Sequence, residues 1–243
     1  MAQHADTLRA LHVPGSPLIL PNAWDAASAR AVRDAGFPAV ATGSAAVARS
    51  LGYDDGEDAP VQEMLDAVRR IVRVVDVPVT ADMERGFGLP PAEFAERLLA
   101  TGAAGCNLED SDPRTGELLD PEAQAAFLAE VRAAAGPALV INARVDTCLH
   151  GDGDDRDAIA RARRYLAAGA DCVYPITAPD LAPLTATIDG PVNAYFHRGS
   201  PSLGHLAGLG VARVSYGPGI HDATLAHTAT LLAEIKQGRD PFA

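Results

Sequence analysis

Acidic side chains recur just after short apolar runs, and their spacing carries the first sign of chemistry. In TADMERGFG, Asp82 and Glu84 stand two residues apart, which puts both carboxylates on one side of an extended segment. NLEDSD supplies Glu109 and Asp110, and NARVDT supplies Arg144 and Asp146. Carboxylates gathered at one mouth repel one another unless a cation or raised pKa values neutralise them. Oxygen ligands with no His or Cys at these positions suit Mg²⁺, with Mn²⁺ as the alternative, and Mg²⁺ takes only one or two direct carboxylates beside its waters. Arg144 is then placed to grip a substrate carboxylate in a bidentate fork.

Other chemistry-bearing residues read less sharply. His197 stands open between a site residue and a surface histidine, and Trp24, the single tryptophan, between core and pocket wall. Asp25 and Asp222 each stand where a helix begins and are expected to cap it. Cys106, Cys148 and Cys172 are far apart and odd in number, which suits small core residues better than a disulfide framework or a zinc site. Lys236 is the only lysine, which excludes a Schiff base in the body of the chain.

These residues need elements to position them, and the hydrophobic pattern supplies eight strand–helix pairs. Strands are expected at Leu18 to Ala23, Ala39 to Thr42, Val77 to Ala81, Gly105 to Glu109, Leu139 to Ala143, Cys172 to Ile176, Val192 to Phe196 and Arg213 to Tyr216. Helices are expected at Ala26 to Ala35, Gln62 to Val74, Pro91 to Ala100, Pro121 to Ala134, Arg156 to Ala168, Asp180 to Ile188, Ser202 to Leu209 and Asp222 to Lys236. One handover recurs in AGFPAV, TGAAGC, AGADCV and LGVARV: a glycine just past a helix, then a buried strand. An α/β fold of the (β/α)8 TIM barrel type follows, as a single domain over residues 1–243. A doubly wound sheet would show a glycine fingerprint after the first strand, and PNAWDAAS has none. The polar insertions Gly52 to Pro60, Asp110 to Asp120 and Gly151 to Asp157 all follow strands, so they belong on the C-terminal face of the barrel.

Composition narrows the partners. The 243 residues carry 20 basic and 32 acidic side chains, a net charge of −12, with no basic run to meet a phosphate backbone. Nucleic acid and anionic membrane are therefore poor partners. No apolar stretch is long enough to span a bilayer, and MAQHADTLRA lacks the apolar core of a secretory signal, so a cytoplasmic location is expected.

The order of these strings resembles the isocitrate lyase and phosphoenolpyruvate mutase superfamily, from PNAWDAAS to YGPG. TGSAAVARSLGYDDGE resembles the segment whose backbone amides hold the substrate carboxylate, which implies that role for Gly43, Ser44 and Ala45; its next acidic position is Asp55. The resemblance implies that Asp82 binds the metal directly and Glu84 through water, that Glu109 joins the metal shell, and that Arg144 clamps the substrate. Asn193 is assigned to substrate binding, and Tyr195 and His197 to compensation for altered positions elsewhere.

The lid differs from the family's. Isocitrate and methylisocitrate lyases carry Lys, Cys, Gly and His after the fourth strand, whereas DSDPRTGELLDPEAQ has no Lys, Cys or His, leaving Arg114 or Thr115 for polar lid contacts. YPIT puts Ile176 where the family shows a polar group. The implied activity is a Mg²⁺-dependent lyase cleaving a carbon–carbon bond in a small 2-oxo or 2-hydroxy carboxylate through an enolate, with an oxaloacetate-like decarboxylase or hydrolase among the options. Alternatives are a phosphorus–carbon bond enzyme and a non-catalytic carboxylate-binding barrel. A homo-oligomer, dimer or tetramer, is implied, while the short tail after the last helix argues against exchange of that helix between subunits.

Overall fold

A computed structural model describes residues 2–242. The chain begins with α1 (Ala2–Ala10), β1 (Leu18–Leu20), β2 (Asn22–Ala23), α2 (Ala26–Asp34), β3 (Val40–Thr42), α3 (Ser44–Leu51), α4 (Val61–Val72), β4 (Val79–Asp82) and α5 (Pro91–Leu99). It continues with β5 (Gly105–Leu108), α6 (Pro121–Ala135), a 3₁₀ turn (Gly136–Ala138), β6 (Val140–Val145), α7 (Thr147–His150), α8 (Asp155–Ala167), β7 (Cys172–Pro175), α9 (Ala182–Thr187), β8 (Asn193–Tyr195), α10 (Leu203–Gly208), β9 (Arg213–Ser215) and α11 (Gly219–Lys236).

All strand pairs are parallel. One ladder runs β2-β3-β4-β5-β6-β7 and the other β1-β9-β8. A single parallel bridge, Val173 to Val192, links β7 to β8. On the other side the expected first strand is split into β1 and β2 at Pro21, which has no N–H to give a ladder. The eight strands thus follow one another around a (β/α)8 barrel whose hydrogen-bonded ring is interrupted at these two places.

Alternation along the strands sorts the side chains. Ala81, Cys106, Ile141 and Val173 face the helices and pack with Phe94, Leu98, Leu128, Val131 and Tyr165 in the largest apolar cluster. The intervening residues Asp82, Asn107 and Asn142 are register partners across β4, β5 and β6, so a polar layer crosses the barrel interior. The helices follow their expected periodicity: α4 buries Met64, Leu65, Ala67, Val68 and Ile71 on one face. All four handover glycines adopt the left-handed conformation, with φ of 88° at Gly36, 88° at Gly102, 102° at Gly169 and 85° at Gly210.

Three helices depart from the expected pattern. The nine-residue α1 is too short to persist alone in water. It exists as a plug: Ala5 and Leu8 pack on Leu18, Leu20, Ala39, Ala41 and Val140 at the bottom of the barrel, and Arg9 ties to Asp171 at 2.8 Å. Gly105 makes room for it, because a Cβ there would lie 2.9 Å from both Leu8 Cδ2 and Val140 O. The second, α3, is a short helix of mostly small residues whose Val47, Ala48 and Leu51 pack with Trp24 and Met64, and α7 has only four residues. Asp25 caps α2 in a reciprocal box with Ser28, as expected. Asp222 does not cap: α11 starts at Gly219, so Asp222 lies in its first turn and pairs with Arg49 at 3.0 Å.

Candidate active site

A cavity of about 540 Å³ opens at the C-terminal ends of the strands. Its lining includes Gly43, Ser44, Ala45, Asp55, Asp82, Glu84, Glu109 and Arg144, so eight residues singled out from the sequence share one space.

Asp82 ends β4 with both carboxylate oxygens tethered. Oδ2 accepts from the Ser44 backbone N–H at 3.1 Å and Oδ1 from Asn107 Nδ2 at 3.3 Å, while the Asp82 N–H donates to Thr42 Oγ1 at 2.9 Å. Glu84 follows in a left-handed conformation, φ 47°, and is buried. Its Oε2 accepts from the Glu57 N–H at 2.6 Å, and Glu57 returns the tie by accepting from the N–H groups of Arg85 and Phe87. The loop after α3 and the loop after β4 are thereby latched together.

Electrostatics follow from crowding. Burial pushes the Glu84 carboxyl up to about 9, and the neighbouring charges of Asp55, Asp82 and Glu109 add to it. Glu109 is also raised by burial, against the pull of Arg144. Asp55 sits at the cavity rim, raised first by partial desolvation and then by Asp82, with Ser44 and Arg49 opposing. Such a cluster retains protons in the absence of a cation and releases them to one. Among the described residues no three His, Cys, Asp or Glu side chains converge as a ready-made cage. A site of one tethered aspartate, with further carboxylates lining the same cavity, fits Mg²⁺, which keeps most of its waters.

Arg144 lies over the Tyr174 ring, 5.8 Å from its centroid. Its Nε donates to Asp146 at 2.7 Å and its Nη1 to Glu109 at 2.5 Å. Much of the expected fork is therefore spent on the protein, and Nη2 is the one guanidinium nitrogen with no partner among the described residues. Asp110 and Asp146 do not line the cavity. Both are fully buried beside it: Asp146 also accepts from Ser111 Oγ at 2.6 Å, and Asp110 accepts from Tyr165 OH at 2.7 Å and Arg161 Nη1 at 3.1 Å.

Several expectations are corrected. His197 is exposed and outside the cavity lining, with its ring against the Arg198 carbonyl, because β8 ends two residues before it. Asn193 is fully buried below the cavity, bonded to Ser215 Oγ at 2.9 Å and to the Ala194 carbonyl. Neither Arg114 nor Thr115 reaches the cavity. The lid enters it through Ser111 and Pro113, because Asp112 accepts from the N–H groups of Arg114 and Thr115 and folds both outward into a turn. Trp24 packs against Val47 and Ala48 as a wall of the core.

The sequence reading did not single out Asn22, Asn107, Tyr174 or His150, all of which line the cavity. Nor did it place a helix at Ser44, yet α3 begins there, giving its first N–H to Asp82 and turning the next N–H groups of its first turn toward the cavity end as an anion seat. The polar residues in the otherwise apolar strands β2 and β5 were the available signal.

The phosphoenolpyruvate phosphomutase family model matches residues 8–236. Curated relatives include Rv1998c, an uncharacterised protein of Mycobacterium tuberculosis, 37% identical over 93% of this chain and 89% of that one. An oxaloacetate decarboxylase of Rhodopseudomonas palustris is 32% identical over 97% of this chain and 86% of its own. A crystal structure from Burkholderia cenocepacia J2315, carrying the provisional name phosphonomutase, superposes with a TM-score of 0.88 at 43% identity, covering 96% of this chain and 99% of that one. With strand-end carboxylates and an arginine collected at one mouth, and a match that runs almost end to end, the chain belongs to the phosphoenolpyruvate phosphomutase family of the isocitrate lyase superfamily, whose members are lyases and mutases of carbon–carbon and carbon–phosphorus bonds.

Proposed function

We propose that the chain is a Mg²⁺-dependent lyase that cleaves a carbon–carbon bond in a small 2-oxo or 2-hydroxy carboxylate, beside an enolate. The observation carrying this reading is the tethered Asp82 with Glu84, Glu109 and Arg144 in one cavity. Asp82 would hold the ion directly, and Glu84, Glu109 and Asp55 would hold its waters. Bound Mg²⁺ supplies a Lewis acid that stabilises charge developing on the enolate oxygen. The free Nη2 of Arg144 and the first-turn N–H groups of α3 after Ser44, beginning with Ala45, are suited to the substrate carboxylate, the Ser44 N–H being given to Asp82. Pro113 from the loop after β5 and Leu149 of α7 line the same cavity and would limit water at the reacting carbon.

A phosphorus–carbon bond enzyme is the second reading, favoured by the name of the matching family and of the Burkholderia structure. Ile176 in the cavity wall, where the phosphonate enzymes of the resemblance show a polar group, weighs against it. A panel of 2-oxo and 2-hydroxy acids, assayed for pyruvate-type products, beside phosphonopyruvate assayed for both phosphate and phosphoenolpyruvate, separates the two. Turnover confined to phosphonates contradicts the lyase reading.

The oligomer is read from α11. Its 18 residues, GIHDATLAHTATLLAEIK, bury only His221, and Leu225, Leu232 and Ile235 stand 51, 59 and 55% exposed. An apolar helix left uncovered supports docking on a second copy of this chain. No helix is long and apolar enough to cross a membrane among the described residues.

A further inference from the structure

Arg213 opens β9 inside the barrel and is 1% exposed. Among the described residues no carboxylate pairs with it: Nη2 donates to Asn107 Oδ1 at 3.1 Å, Nε to Ser215 Oγ at 3.3 Å, and Nη1 has no partner. A buried cation without a counter-ion is costly, and apolar replacements of buried charges are often neutral or stabilising. Packing therefore gives no reason for a guanidinium here.

The geometry above it does. A guanidinium only donates, so its bond to Asn107 decides which end of that amide faces down. Oδ1 is the acceptor, and Asn142 Nδ2, at 2.9 Å, enforces the same choice. Nδ2 of Asn107 must then face up, where it donates to Asp82 Oδ1 at 3.3 Å. Turned over, Asn107 would set its NH₂ against two donors and its carbonyl against a carboxylate. With Ser44 N–H on Oδ2, the Asp82 carboxylate is held from both sides.

We propose that Arg213 is a positioning residue for Asp82, acting through Asn107 to fix the orientation of the carboxylate that receives the divalent ion. The inference deepens the metal reading above and rests on it. Partners that orient a metal ligand from behind are worth about ten- to hundredfold in ion affinity.

The test is Mn²⁺ titration of the full chain, followed by calorimetry, for wild type, Arg213→Met, Asn107→Leu and the double variant, with thermal melts of the ion-free proteins. Arg213→Met should weaken Mn²⁺ binding about tenfold or more, while the ion-free melting temperature stays level or rises. The double variant should bind no more weakly than Asn107→Leu alone, because both act on one line. Undiminished affinity in Arg213→Met overturns the proposal, and so does a loss of affinity that tracks a fall in ion-free melting temperature. Should Arg213→Met not fold, Arg213→Lys, which keeps the charge and loses the fork, must still bind Mn²⁺ more weakly than wild type; equal binding overturns the proposal. Wild type that binds no Mn²⁺ overturns the metal reading and the inference with it.

Discussion

Asp82 ends β4 and Asp110 lies just past the neighbouring β5, yet their surroundings give substitution opposite consequences. Asp110 is buried under Arg161, Tyr165 and the Asp146 N–H; Arg161 keeps Asp157 at 2.9 Å, so Asp110→Ala chiefly leaves the Asp146 N–H and the Tyr165 OH without their acceptor and should cost about 1–3 kcal/mol in urea unfolding. Asp82 sits among like charges, so Asp82→Ala should leave the ion-free protein as stable as wild type or more so, and a clear loss in the same assay would contradict the repulsion argument. Glu84 sets a pH dependence. Its folded pKa, about 9, lies above the ordinary 4.5, so between those values the folded state keeps a proton the unfolded state has lost. Ion-free stability from this group therefore falls as pH rises through that window, and Mg²⁺ should raise the melting temperature more at about pH 8.5 than at about pH 6. An equal shift at both would contradict it. His12 works at the acid end: burial lowers it from 6.5 to about 4, so its contribution is lost as pH falls through that range. Residue types at strand ends were enough to find the acids and Arg144. They could not show that Asp110 and Asp146 turn into the wall, since that depends on Tyr165, Arg161 and Ser111 from distant segments.

Elements with a strong apolar period were legible, and those built by tertiary contact were not. α4, α5, α6 and α8 emerge close to the positions their spacing predicts, whereas α1 forms because the open bottom of the barrel accepts Leu8, which no local pattern announces. Strand one reads as continuous from its apolar residues, but Pro21 divides its ladder. The Leu8 plug requires Gly105 to lack a side chain, so Gly105→Ala should overpack the site and cost about 1–3 kcal/mol in chemical unfolding. An unchanged midpoint would remove the plug argument. For α11, Leu225→Glu with Leu232→Glu should leave the circular dichroism of the barrel intact and reduce the mass measured by light scattering to that of one chain. A wild-type protein that already runs as a monomer would refute the docking of this helix.

The whole molecule is a barrel that separates support from chemistry along its axis. The bottom is closed by α1, the middle carries a buried polar layer, and the mouth gathers tethered carboxylates and one partly free guanidinium. The handover glycines made this architecture readable, because each repeat announces its own left-handed exit. The lid chemistry stays unreadable from sequence, since the turn that sends Arg114 and Thr115 outward and Pro113 inward depends on the Asp112 side chain. The central claim is a working enolate site organised by a divalent ion, and calorimetric titration of oxalate, which mimics the enolate of pyruvate, tests it most directly. Binding with Mg²⁺, lost with EDTA and lost again in Asp82→Ala and Arg144→Ala, is the predicted result. Oxalate binding that is the same with and without the ion, or no binding under either condition, would contradict it.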